Sequence, residues 1–201
     1  MRVMGNMAST NKKHMIHLYE KLACWLFGAL ITIETILMFI NGNEAKGFMG
    51  MKTIVVFAVM YVYQTRSSRP LPAPFTIIIY TFTFIAVGLG TLGGFYQIPH
   101  FDDALHLLSG VWIGYGSLIM LNILVGEELA SRLPRAFILL YMISFSLAAA
   151  GLWELLEFTG DKWFHYNAQG RDHDDTMFDM IDGLIGGFVA ALLFLRKTKA
   201  E

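Results

Sequence analysis

Three apolar stretches of this chain each carry a pair of potential metal ligands spaced three residues apart. The pairs are Asp103/His106, Glu154/Glu157 and Asp179/Asp182. Residues i and i+3 share one face of an α-helix, so each pair can point into a common cavity between helices. Carboxylates are expensive inside a membrane and mark functional sites there more often than not. The spacing therefore indicates metal binding or proton transfer.

The composition identifies the class of protein in which these residues lie. Hydrophobic residues make up 55% of the 201 residues, charged residues only 15%, and the mean hydropathy is +0.52. Such a chain is an integral membrane protein. Cys24 is the single cysteine, which excludes an internal disulfide and a thiolate metal site. Catalytic-triad, phosphate-loop, dinucleotide and basic nucleic-acid motifs are missing from the sequence, so no nucleic-acid partner is expected.

Six apolar stretches predict an all-α fold, a polytopic membrane bundle of six transmembrane helices. A bilayer core of ~30 Å requires about 20 helical residues, and the strand alternation of a membrane barrel is absent. The second stretch is the shortest and is interrupted by Lys52. The aliphatic part of this side chain must extend along the helix so that its ammonium group reaches the membrane surface. The predicted spans are Leu22–Ile40, Phe48–Tyr63, Phe75–Tyr96, Ala104–Val125, Ala136–Phe158 and Met177–Leu195.

The distribution of basic residues predicts that both termini are cytoplasmic. With that orientation, eleven Lys and Arg residues lie inside and four (Lys46, Lys52, Lys162, Arg171) lie outside. The chain is then one membrane domain, 1–201. Within it we expect a cytoplasmic lead-in (1–21), a two-helix part (22–65), a proline-rich cytoplasmic linker (66–74) and a four-helix part with the polar site (75–195).

In this topology, acids and histidines collect at the outer ends of the fourth, fifth and sixth spans. By the helical rise of 1.5 Å per residue, they lie at similar depths, so neighbouring spans could bring them around one outward-facing cavity. Helix capping explains Asp102 and Asp175 at least as well as metal binding. Glu154 and Glu157 are placed at the C-terminal end of the fifth span, where the helix dipole disfavours anions. The candidate metal ligands are His100, Asp102, His106, Glu154, Glu157, Asp175, Asp179 and Asp182.

These acids outnumber the bases near them. Lys162 and Arg171 are the basic residues close in sequence on that side, so protons or a cation must neutralise the remaining carboxylates. One histidine among several oxygens favours Mn, Fe, Zn or Mg over copper or a thiolate-loving ion. Asp102, four residues before His106, could orient its ring or share the metal with it.

Three motifs in order carry a family resemblance. They are His100-Phe-Asp-Asp-Ala-Leu-His106, Trp153-Glu-Leu-Leu-Glu157, and Asp175-Thr-Met-Phe-Asp-Met-Ile-Asp182. Over about residues 95–190 the chain resembles the YjdF-like family of bacterial multi-pass inner-membrane proteins and, more remotely, VanZ-like proteins. The resemblance implies the bacterial inner membrane and, through VanZ-like proteins, the cell envelope. Asp103 stands where a basic residue is usual in such relatives, which favours the Asp102/His106 pair as ligands.

Three functions fit these residues. The first is a metal-dependent enzyme that hydrolyses a lipid or lipid-linked envelope substrate from the outer side. The second is a cation or proton carrier or sensor that uses the same carboxylates without catalysis. The third is a scaffold whose acids are protonated and hydrogen-bonded. A carrier needs polar groups toward the cytoplasm, where only Asn122 and Glu34 interrupt the spans, so the first function is favoured. Membrane lipids are the expected partners.

Overall fold

The computed structural model describes residues 2–164 and 173–200, with side chains described for 15–163 and 174–197. Every secondary-structure element within these ranges is helical. Arg171, one of the bases placed on the outer side, lies outside the described residues. The all-α prediction is confirmed.

The elements follow one another as α1 (Arg2–Ile40), α2 (Glu44–Arg66), α3 (Ala73–Thr83), a π-helical continuation of α3 (Phe84–Leu92), a 3-10 turn (Phe95–Gln97), α4 (Phe101–Val125), α5 (Glu127–Ser131), α6 (Arg135–Phe164) and α7 (His173–Ala200). Six of these helices are long and apolar enough to cross a membrane, with α3 counted together with its π-helical continuation. The number of predicted spans is therefore confirmed.

Most of the helices extend beyond the apolar stretches predicted from hydropathy, as the second and fifth spans illustrate. The second span begins at Glu44, where the Asn43 side chain accepts a hydrogen bond from the Lys46 amide, and it continues to Arg66. Helix α6 continues past Phe158 to Phe164. Polar residues at both helix ends extend the backbone hydrogen bonding beyond the apolar stretch, because helix propensity does not require an apolar side chain.

The chain divides into two compact units, residues 1–98 and residues 99–201. The first contains α1, α2 and α3 around a core that includes Ile31, Phe57 and Tyr80. The sequence places a division at the proline-rich segment 66–74, whereas the structure keeps this segment inside the first unit. Gln64 holds it there, since its side-chain oxygen accepts a hydrogen bond from the Leu71 amide at 2.8 Å.

Glu34, an acid without an evident partner in the sequence, faces the π-helical part of α3. A Cβ atom on Gly88 would lie 3.2 Å from Glu34 Oε2, so the two helices approach closely at this point. That oxygen is buried and has no hydrogen-bond partner among the described residues. The structure thus gives Glu34 a neighbouring backbone, but not a charge partner.

The second unit is built from α4, α6 and α7, which all pack against one another. Glycines allow the backbones of α4 and α7 to touch: a Cβ on Gly110 would overlap the Gly183 carbonyl oxygen, and a Cβ on Gly186 would overlap the Leu107 carbonyl oxygen. Ser146 of α6 donates a hydrogen bond to the Gly110 carbonyl at 2.8 Å. Small residues at close crossings are typical of membrane helices. This packing fixes the rotation of the helices that carry the acids.

Candidate metal centre

Helices α4 and α7 bring three potential ligands together, in a group that we call the Asp/His cluster (Asp102, His106, Asp179). His106 Nε2 lies 3.5 Å from Asp102 Oδ1 and 3.8 Å from Asp179 Oδ1. One donor atom from each of the three residues lies within 4.8 Å of the others. Asp102 and His106 stand one turn apart on α4, whereas Asp179 comes from α7, so the cluster exists only when the two helices pack.

Asp179 is the most deeply buried member of the cluster. The residue is 4% exposed, and its Oδ1 atom has no hydrogen-bond partner among the described residues. The His106 side chain, the nearest basic group, is 11% exposed. A buried carboxylate oxygen without a hydrogen bond is unfavourable unless a proton or a cation compensates it.

The flanking acids (Glu154, Glu157, Asp175, Asp182) surround the Asp/His cluster. Asp175 and Glu154 interact electrostatically with both Asp102 and Asp179. Glu157 interacts with the same two aspartates, and Asp182 interacts with His106. In the described part of the chain, most charge interactions of these carboxylates are with other carboxylates. The basic group among their partners is His106, which interacts with Asp102 and Asp182. The arrangement concentrates negative charge around one imidazole.

The structure pairs His100 with Asp103, whose charge also acts on Asp102, His106, Asp179 and Asp182. His100 Nδ1 lies 2.6 Å from Asp103 Oδ2, and the His100 side chain is 86% exposed. Both aspartates lie in the first turn of α4, and of the two it is Asp102, at i, i+4, whose carboxylate lies 3.5 Å from His106 Nε2.

Glu154 and Glu157 lie deeper along their helix than the sequence indicates. Because α6 ends at Phe164, both residues are more than a full turn from its C-terminus, and the helix dipole acts only within the last turn. The dipole argument for their unusual position is therefore wrong. Glu157 instead accepts a hydrogen bond from Trp153 Nε1 at 2.9 Å.

Glu154 combines deep burial with unsatisfied oxygens. The residue is 4% exposed, and neither oxygen makes a hydrogen bond of regular geometry to a described residue, although the Thr176 side chain lies beside it. Both residues line a cavity of about 670 Å³ between α6 and α7, which we call the α6–α7 cavity. Its other lining residues are apolar, apart from Gly151: Ala148, Leu152, Leu155, Phe158 and Met180.

Neither this cavity nor the place of Thr176 and Met180 in the site is predicted by the sequence. The lining positions of α6 recur at i, i+3, i+4 and i+7, which is also the pattern of a helix face that contacts lipid. Only the packing of α7 against that face shows that the stripe borders a cavity next to the acids.

Comparison with known proteins agrees with the membrane character of the chain. A family model described as "Predicted membrane protein (DUF2238)" matches residues 22–200. An uncharacterised protein of Thermotoga maritima is 29% identical over 139 residues, which cover 68% of this chain and 70% of that protein. No solved structure matches. The family match spans most of the sequence, including all three helices of the candidate site, and the chain belongs to the DUF2238 family of predicted membrane proteins.

Proposed function

We propose that residues 99–201 bind a divalent metal ion at the Asp/His cluster and use it to hydrolyse an ester-type bond in a membrane lipid or lipid-linked substrate. The observation that carries the proposal is the convergence of Asp102, His106 and Asp179 within 4.8 Å, with a buried Asp179 oxygen that lacks a hydrogen bond. A cation at this point satisfies that oxygen and offsets the flanking acids.

The distances suit a metal after small side-chain movements. Metal–nitrogen and metal–oxygen bonds of about 2.0–2.2 Å allow two ligands of one ion to be no more than ~4 Å apart. The contacts from His106 to the two aspartates, at 3.5 and 3.8 Å, already meet this condition. One imidazole with carboxylate oxygens favours Mn, Fe, Zn or Mg.

The hydrolytic step follows from the position of Glu154 beside the cluster. A divalent ion held by Asp102, His106 and Asp179 would supply Lewis-acid polarisation of a phosphoryl or acyl oxygen. The oxygen of a water molecule attacks the phosphorus or the acyl carbon while its proton passes to the Glu154 carboxylate. The bond to the leaving oxygen breaks, and that oxygen takes the proton from Glu154. The reaction consumes one water and requires no oxidant or reductant.

A cation or proton carrier is the second function that the acids could support. It requires polar groups that continue along the spans away from the cluster. Ser117 and Ser146, the fully buried polar residues farther along α4 and α6, donate their hydroxyls to the carbonyls of Gly114 and Gly110. Because these hydroxyls are hydrogen-bonded to helix backbones, they do not form a polar path from the cluster along the spans. This favours a site that opens only at the cluster end of the helices over a carrier.

The positive-inside rule supports an outward-facing position for this site. Within the second unit, Arg132, Arg135, Arg196 and Lys197 lie at or beyond the helix ends opposite to those that carry the Asp/His cluster. We therefore place both termini in the cytoplasm, and the motifs at residues 100–106, 153–157 and 175–182 favour the YjdF-like assignment and the bacterial inner membrane. The VanZ-like likeness, and with it a role in the cell envelope, rests on the same short motifs.

A metal titration of the purified full-length protein tests the proposal. Isothermal calorimetry with Mn²⁺, Zn²⁺ and Mg²⁺ should show one site per chain that disappears in Asp179→Asn. The absence of saturable binding in the wild type, with normal helical content, would favour protonated acids and the scaffold or carrier functions. Metal binding without release of a lipid product from a mixed lipid extract would retain the metal site and reject the hydrolase.

A further inference from the structure

We propose that the α6–α7 cavity is the site where the hydrocarbon chain of the substrate lies, entering sideways from the bilayer with its polar end at Glu154. This inference rests on the proposed function, because it assigns the substrate of the same metal site. The cavity has a volume of about 670 Å³. Pockets for small ligands occupy ~300–1,000 Å³.

The lining of the cavity is apolar on the side that meets the bilayer. Leu152, Leu155 and Phe158 stand on one face of α6, and each is more than half exposed in the protein alone. Within a membrane span, this face contacts lipid chains rather than water. A chain can therefore pass from the bilayer into the cavity without crossing a polar surface.

Gly151 and Met180 lie next to each other in the lining of the cavity. A Cβ atom added to Gly151 would meet the terminal methyl group of Met180 at 3.4 Å, so the absence of a side chain at Gly151 leaves space beside Met180 for about one methyl group. Methionine is a flexible side chain that adapts to irregular apolar ligands. Met180 can therefore adjust its position to a hydrocarbon chain in the groove.

Glu154 gives the cavity a polar end that points toward the Asp/His cluster. Its two oxygens are buried and lack hydrogen bonds of regular geometry, and it interacts electrostatically with Asp102. A substrate whose chain fills the groove therefore places its first polar atoms between Glu154 and the cluster. This is the position required for an ester bond between the chain and its head group.

The hydrocarbon chain of the substrate gains little free energy by moving from the bilayer into the groove, because lipid tails are as apolar as the groove. Selectivity must then come from the polar end of the ligand, at Glu154 and the metal. The structure consequently favours a ligand that has both a long chain and an acyl or phosphoryl ester, over a plain hydrocarbon.

Photolabelling in nanodiscs tests the inference with the full-length protein. The probe is a phospholipid that carries a diazirine in one acyl chain, and mass spectrometry locates the labelled residues. We expect labels on Leu152, Leu155 and Met180, with Met180 losing most of its label in Leu155→Trp, because the indole fills the groove. Leu156→Trp is the matched control: Leu156 and Leu155 are 65% and 60% exposed, but only Leu155 lines the cavity.

Uniform labelling along α6, or equal labelling of Met180 in the two tryptophan variants, would overturn the proposal that the hydrocarbon chain lies in the α6–α7 cavity. If Leu155→Trp does not fold, Leu155→Phe provides the same comparison with a smaller ring. Metal titrations of the same samples separate the two proposals. Selective labelling of the cavity without metal binding would reject the proposed function but keep the hydrocarbon-chain site. Metal binding with unselective labelling would reject the hydrocarbon-chain site but keep the metal site.

Discussion

Replacing Asp102 by asparagine should weaken metal binding far more than the same replacement at Asp103. The two aspartates are adjacent in the first turn of α4, and either substitution removes one carboxylate charge while keeping the size of the side chain. Asp102 lies 3.5 Å from His106, whereas Asp103 pairs with the exposed His100 and acts on His106 through its charge alone. The pair therefore separates ligation from the general effect of negative charge.

The magnitude follows from the number of ligands that each variant keeps. Loss of a partner that only orients a metal ligand already costs 10–100-fold in affinity, so loss of Asp102 itself should cost at least ~100-fold, or about 2.7 kcal/mol. The side chains of Asp102 and Asp103 are 41% and 43% exposed, so solvent screens both charges alike and the expected difference comes from ligation. We expect Asp103→Asn to weaken binding by no more than about threefold, as expected for an exposed charge.

Competition with a fluorescent metal indicator measures both dissociation constants under one set of conditions. Circular dichroism of each variant checks that the helices remain formed. Equal losses of affinity in Asp102→Asn and Asp103→Asn would refute the argument, since they would show that the ion senses only the total charge of this helix end. A greater loss in Asp103→Asn would place the ion beside His100 instead.

Three further predictions concern packing and the first unit. Gly186→Ala should destabilise the protein by about 1–3 kcal/mol in thermal unfolding, because its Cβ overlaps the α4 backbone, while Gly28→Ala, whose Cβ would meet the Phe57 ring at 3.7 Å, should not. His100→Gly should leave metal affinity unchanged and should not lower the unfolding temperature, because His100 has φ of 62° and glycine adopts that conformation without strain; a large loss of affinity would make His100 a ligand after all. Gln64→Ala should cost about 1–3 kcal/mol and increase proteolysis in segment 67–72, because it removes a donor from the buried Glu20 carboxylate and the acceptor of the Leu71 amide; unchanged proteolysis would contradict that role.

The membrane spans could be predicted from the sequence because hydropathy reports directly on the environment of a segment. All six predicted spans correspond to helices of the structure. The helix ends were less certain, since α6 continues through polar residues to Phe164. That difference removed the dipole argument for Glu154 and Glu157 but left them beside the cluster.

The meeting of acids from different helices could be predicted only as a possibility. Spacing along the chain showed that Asp179 shares a helix face with Asp182, but it could not show which neighbouring face it meets. The contacts of Gly110 and Gly186 with the opposite backbone determine the rotation of α4 against α7. In this arrangement one ligand atom from each of Asp102, His106 and Asp179 lies within 4.8 Å of the others, a meeting that periodicity alone leaves open.

The boundary between the two units could not be predicted from composition. Prolines at residues 70, 72 and 74 mark a break in the helix, and such a break predicts a division of the chain at this segment. Hydrogen bonds from Gln64 instead hold the segment against the first unit, and the division falls between Ile98 and Pro99. Long-range side-chain bonds of this kind leave no periodic signal in the sequence.

X-ray absorption spectroscopy of the protein, purified without chelators and loaded with one equivalent of Mn²⁺ or Zn²⁺, tests the central claim most directly. Our account predicts one tightly bound ion per chain, coordinated by a single imidazole nitrogen and by oxygens at about 2.0–2.2 Å. The imidazole signal should vanish in His106→Ala and persist in His100→Ala. A chain that retains no stoichiometric metal, or a spectrum whose imidazole signal survives the loss of His106, would contradict the account.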